Sequence, residues 1–117
     1  MSEKKRALVS LLCGAFRDAE NAYACTFGDL EKNIPQDKVS ALSYAAACTA
    51  KSSAAEAVYW LSPELAEYDI AELLGKYDTF TDEIREDFKT NHSRQWVDVE
   101  FEKLKLLHHN AMAELEK

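Results

Sequence analysis

Residues 41–61, ALSYAAACTAKSSAAEAVYWL, run for 21 positions with only two charges, Lys51 and Glu56, and with no Gly or Pro. Ala, Ser, Thr and Cys would cover most of the circumference of a helix built here. Ala is the strongest helix former, and side chains this small let neighbouring helices approach closely. The stretch predicts the central, largely enclosed helix of a small bundle, with Val39, Leu42, Ala46, Ala50, Ala57, Trp60 and Leu61 on its most apolar side. Its length matches a membrane span, but two charges and several hydroxyls leave it too weakly apolar to be one.

The other segments support the same architecture. Three Gly and two Pro in 117 residues leave few interruptions, which favours long helices over strands. A first helix is expected over residues 2–31, because Leu8, Leu11, Leu12, Ala15, Phe16, Ala19, Tyr23, Phe27 and Leu30 recur at helical spacing; Gly28 offers an earlier end. Asn33 suits the cap of the second helix, with Pro35 in its first turn and Gln36 completing a capping box. Ser62, Pro63 and Glu64 read as the cap and first turn of a third helix. Ile70, Leu73, Leu74, Tyr77, Thr81, Ile84 and Phe88 form one face of that helix, which Gly75 and residues 78–81 could split. Val97, Phe101, Leu104, His108, Ala111 and Leu115 form the stripe of a last helix. Residues 91–93 read as a turn before it; without that turn a single helix of about 54 Å would run from Thr81 to Glu116. Connections of one to four residues would make neighbours antiparallel. The expected fold is all-α: one domain over residues 1–117, an antiparallel up-and-down bundle of four helices, or five if one splits.

Composition narrows the function classes. The formal net charge of −7 argues against nucleic acid or an anionic membrane as the main ligand. Cys13, Cys25 and Cys48 are odd in number and contain no CxxC, and no signal-peptide pattern opens the chain. They read as reduced, buried thiols of a cytoplasmic protein. No zinc spacing, Glu-x-x-His pair, phosphate loop or nucleophile elbow appears, so no metal, cofactor or catalytic site is expected. His108 and His109 diverge by about 100° on a helix, which keeps them from sharing one metal.

Charge is concentrated in one place. Between Glu64 and Asp87 nine acids meet only Lys76 and Arg85, whereas the rest of the chain is balanced. Glu72, Asp82, Glu83, Glu86 and Asp87 fall opposite the apolar stripe of the third helix and make an outward acidic face. Such a face can serve as a solvated surface, or it can dock a protein with a basic surface. A second line on the last helix, Val99, Leu106 and Ala113, is spaced by seven and points away from the main stripe, which suits a homodimer interface.

One motif admits an enzymatic alternative. Arg85 and His92, separated by six residues, resemble the Arg-x4–6-His pattern of HEPN-type ribonucleases, which are also small helical bundles. The resemblance implies RNA cleavage by that pair across a dimer interface. The residue after the Arg is Glu86, where the family more commonly carries Asn, Asp or His. The main expectation is a non-enzymatic protein-binding module, an inhibitor, antagonist or adaptor that occludes a basic site. The ribonuclease and a purely structural homo-oligomer are the alternatives.

Overall fold

A computed structural model describes residues 2–90 and 94–117. Four α-helices lie among them: α1 (Glu3–Phe27), α2 (Lys38–Trp60), α3 (Ala71–Thr90) and α4 (Arg94–Leu115). None of these is long and apolar enough to cross a membrane. The expected turn at residues 91–93 lies outside the described residues.

Side-chain pairs establish that neighbours run antiparallel. On α1 and α4, Cys13 meets Met112, Phe16 stacks on His108, and Tyr23 reaches Asp98. On α1 and α2, Asp18 pairs with Lys51 while the Cys25 carbonyl accepts from the Asp37 N–H. Asp87 near the end of α3 pairs with Lys38 at the start of α2, and Lys76 of α3 pairs with Glu100 of α4. The bundle is therefore up-and-down, ordered α1–α2–α3–α4 around its axis, with α1 and α3 in diagonal contact.

The core is built mainly from α1, α3 and α4. Leu8, Leu12, Ala15 and Phe16 of α1 face Leu73, Tyr77, Phe80 and Ile84 of α3 and Val97, Leu104 and Leu115 of α4. The expected stripes of the last two helices hold, except that Phe88 is exposed and Phe101 half-buried. Leu30 is fully exposed, because α1 stops at Gly28. Gly28 has φ +77°, and a Cβ there would stand 2.9 Å from the Gln36 nitrogen, so the chain can turn back only through a glycine.

The helix starts differ from expectation. Asn33 takes a left-handed conformation inside the α1–α2 connection, and Gln36 donates to the Thr26 carbonyl instead of closing a capping box. The cap of α2 is Asp37, whose carboxylate accepts from the Ser40 N–H and Oγ. Ser62 and Pro63 open only a 3-10 turn, Pro63–Leu65, and α3 begins at Ala71. The connections over residues 28–37 and 61–70 are thus ten residues each, longer than expected. Gly75 does not break α3.

The largest departure concerns α2. It turns Ala41, Ala45, Cys48, Ser52, Ala55 and Tyr59 inward and makes the most extensive helix–helix interface with α1. The side expected to be buried faces out: Val39 is 74% exposed, Trp60 64% and Leu61 79%. The helix is packed on one side and is not enclosed.

Candidate protein-interaction site

The acids of α3 separate into two environments. Glu72, Asp82 and Glu86 are exposed on one side of the helix, and Glu83 is half-buried beside them. Asp82 is held by Arg85 at 2.6 Å, and Glu86 stands 4.0 Å from Lys89. Asp87 leaves the expected face altogether. It is 2% exposed and forms an ion pair with Lys38 at 3.3 Å, because its position on the helix lies toward the core stripe of Ile84 and Tyr77. Of the five expected residues, Glu72, Asp82, Glu83 and Glu86 stay on the outer side of the helix, and, with Glu64 paired to Lys4 at 3.7 Å, four of the nine acids of the segment are held in ion pairs.

A less compensated acidic surface lies at the other end of α3. A cleft of about 280 Å³ opens between the residues leading into α3 and the second half of α4. Ile70, Leu73, Leu107 and Ala111 form its apolar floor, and Glu67, Asp69, Glu72 and Glu114 stand on its rim. Glu67, Asp69 and Glu72 have no cation within ion-pair distance among the described residues; Glu114 reaches only Lys117, at 3.0 Å. The cleft exists because residues 66–70 do not continue the 3-10 turn. The Tyr59 hydroxyl donates to the Tyr68 carbonyl and pins that strand of chain to α2, while Ile70 inserts into the core. Sequence periodicity picked out Glu72 but missed Glu67, Asp69 and Glu114, since their grouping depends on a non-helical segment. The available signal was Pro63 followed by three acids within six residues of it.

Such a site suits a positively charged side chain. A Lys or Arg places its aliphatic stem on an apolar floor and its charge among carboxylates. No group of three or more His, Cys, Asp or Glu side chains among the described residues is arranged to hold a metal ion.

A second cleft, about 760 Å³, lies between the α1–α2 connection and the start of α4. Its charges are mixed: Lys32, Arg94 and Lys105 stand among Glu20, Asp29, Glu31 and Glu102. Arg94 lies over the Phe27 ring at 4.9 Å and pairs with Asp98 at 3.6 Å. Tyr23 donates to Asp98, and its hydroxyl is pushed up to about 12, first by burial and then by that carboxylate.

The remaining expected sites separate as follows. Val99, Leu106 and Ala113 are exposed on the outer side of α4, with Leu106 at 62%. Arg85 donates to Asp82 and Thr81, and His92, its partner in the ribonuclease pattern, lies outside the described residues. His108 is buried as expected, stacked on Phe16 with ring centroids 4.2 Å apart. The Tyr77 hydroxyl donates to the Leu12 carbonyl at 3.1 Å and lies 3.2 Å from His108 Nδ1. With its single proton committed to Leu12, Tyr77 accepts from Nδ1–H, so the buried network is satisfied. Of the cysteines, which are free thiols, only Cys48 is buried; Cys25 is partly covered and Cys13 is exposed. Burial pushes the Cys48 thiol up to about 12, which leaves it protonated and unreactive. Compared with family models, with curated proteins and with solved structures, the chain matches none.

Proposed function

We propose that the chain is a non-enzymatic protein-binding module that engages a basic segment of another protein at the acidic-rimmed cleft beside α3. The observation that carries this reading is the rim of Glu67, Asp69 and Glu72, left without ion pairs among the described residues, above an apolar floor. Glu83, Glu86 and Asp82 extend the same charge along α3 and steer a basic partner toward it. Occlusion is the mechanism: a basic residue of the partner seats in the cleft, and the bundle blocks whatever that residue served. The role is that of an inhibitor or an adaptor.

Affinity capture from the lysate of the source cell tests the reading, at about 50 mM and about 300 mM salt, where screening lengths differ by more than twofold. A basic protein retained at the lower salt and released at the higher is expected. The double charge reversal Glu67→Lys, Glu72→Lys should weaken its retention about tenfold or more, because like charges would then meet at the rim. All the substituted side chains are exposed, so the fold stays intact. Retention unchanged by the reversal would overturn the cleft as the binding site.

A further inference from the structure

We infer that the outer face of α2 is the contact surface of a twofold, antiparallel homodimer. Val39, Ser43, Ala46, Ala50, Ser53, Ala57 and Trp60 are all exposed and follow one another at alternating spacings of four and three residues. That is the 3.5-residue period of a helix seam meant for another helix. The core of this molecule does not use it: the inward residues Ala41, Ala45, Cys48, Ser52, Ala55 and Tyr59 occupy the opposite side. Leu61 widens the seam with further exposed apolar surface.

Charge and shape identify the occupant as a second copy. The chain carries a net charge of −7, so most of its surface repels a copy of itself. On this face the only charge is Glu56; Lys51 is turned back to Asp18 of α1, and Lys38 to Asp87 of α3. The seam is also symmetric in bulk about Ala50. Ser43 lies seven residues before it and Ala57 seven after; Val39 lies eleven before and Trp60 ten after. An antiparallel twofold axis at Ala50 therefore sets the small residues of one copy against the small residues of the other, where the backbones can approach closely. At each end it sets Val39 against Trp60. The two Glu56 side chains then stand about 18 Å apart along the axis, beyond the screening length at physiological salt.

Area sets the strength. A helix of 23 residues is about 34 Å long and about 10 Å wide, a strip of roughly 340 Å² per copy. A strip of that size is within the range of the largest patch on a monomer, and the pair falls short of a permanent interface. The dimer is thus a weak, concentration-dependent one.

Sedimentation equilibrium on the full chain, from about 5 to about 500 µM, tests this in the range expected of a small interface. The average mass should rise from 13.2 kDa toward twice that value. Ala50→Lys sets two cations against each other at the axis and should weaken association at least about 100-fold, while Leu106→Lys on α4 leaves it unchanged. In a Cys13→Ser background, Ala50→Cys should form a covalent dimer on mild oxidation. Val39→Cys should not, because its two copies lie about 33 Å apart. A strict monomer throughout, a dimer indifferent to Ala50→Lys, or efficient cross-linking through Val39→Cys would each overturn the inference.

Discussion

His108 sits buried between Phe16 and Tyr77, and this makes it the residue through which acid should loosen the bundle. Burial, reinforced by the neighbouring His109, lowers its pKa to about 4, below the ordinary histidine value near 6.5. A depressed histidine binds its proton in the unfolded chain before it does so in the folded one. Stability from this residue is therefore complete above about pH 7 and is lost as the pH falls from about 6.5 toward 4; below that both states are protonated and the loss stops. The loss is on the order of 2 kcal/mol, which allows for partial solvent screening of the site. Urea unfolding midpoints at pH 7, 6 and 5 should decline more steeply for the wild-type chain than for His108→Gln, which carries no proton to gain. Parallel slopes in the two proteins would place the acid sensitivity elsewhere.

The pairing of α2 with α3 depends on Lys38 and Asp87, and here the element scale shows both what the sequence could reveal and what it could not. Asp87 is nearly fully buried, with Lys38 as its ion-pair partner. Lys38→Met would strand that carboxylate and should destabilise the fold by about 3 kcal/mol, whereas Lys38→Met with Asp87→Leu should recover most of the loss. Thermal unfolding of these two variants and the wild-type chain decides this; a Lys38→Met variant as stable as the wild-type chain would mean that the pair contributes nothing. Read along the sequence, Asp87 counted as one more outward acid, because its partner lies 49 positions away and no local pattern connects them. The stripes of α1, α3 and α4 were legible since large apolar residues alternate with charges at helical spacing. For α2 the pattern failed. Almost every side of that helix is weakly apolar, so periodicity could not say which side faces in. Close packing against α1 then selected the small residues, Ala41, Ala45 and Cys48, and left Val39 and Trp60 outside. The clefts were invisible for a different reason: each is bordered by a ten-residue connection whose path is fixed by bonds across the connection that no periodic pattern encodes, such as the one from Tyr59 to Tyr68.

At the scale of the molecule, the two proposed surfaces belong to different parts of a bundle measuring 42 × 26 × 21 Å. The outer face of α2 borders α1 and α3, and the acidic cleft lies between α3 and α4, the helix diagonal to α2. No side chain is shared between them. Sites so separated, with no common partner residue, are expected to act additively. Each copy in a dimer then keeps its own open cleft, and a basic partner binds with one molecule per chain. Electrostatics adds one asymmetry. Dimerisation doubles the negative charge carried by the particle, which raises the association rate of a basic partner at low salt and leaves it nearly unchanged once the Debye length falls to about 8 Å. The expected outcome is that Ala50→Lys leaves the partner's dissociation constant within about twofold at physiological salt, and that Glu67→Lys with Glu72→Lys leaves the dimer constant within the same margin. Titration calorimetry of each variant, together with sedimentation of the other, measures both. A coupling of tenfold or more would mean that α3, which touches both surfaces, transmits binding at one of them to the other.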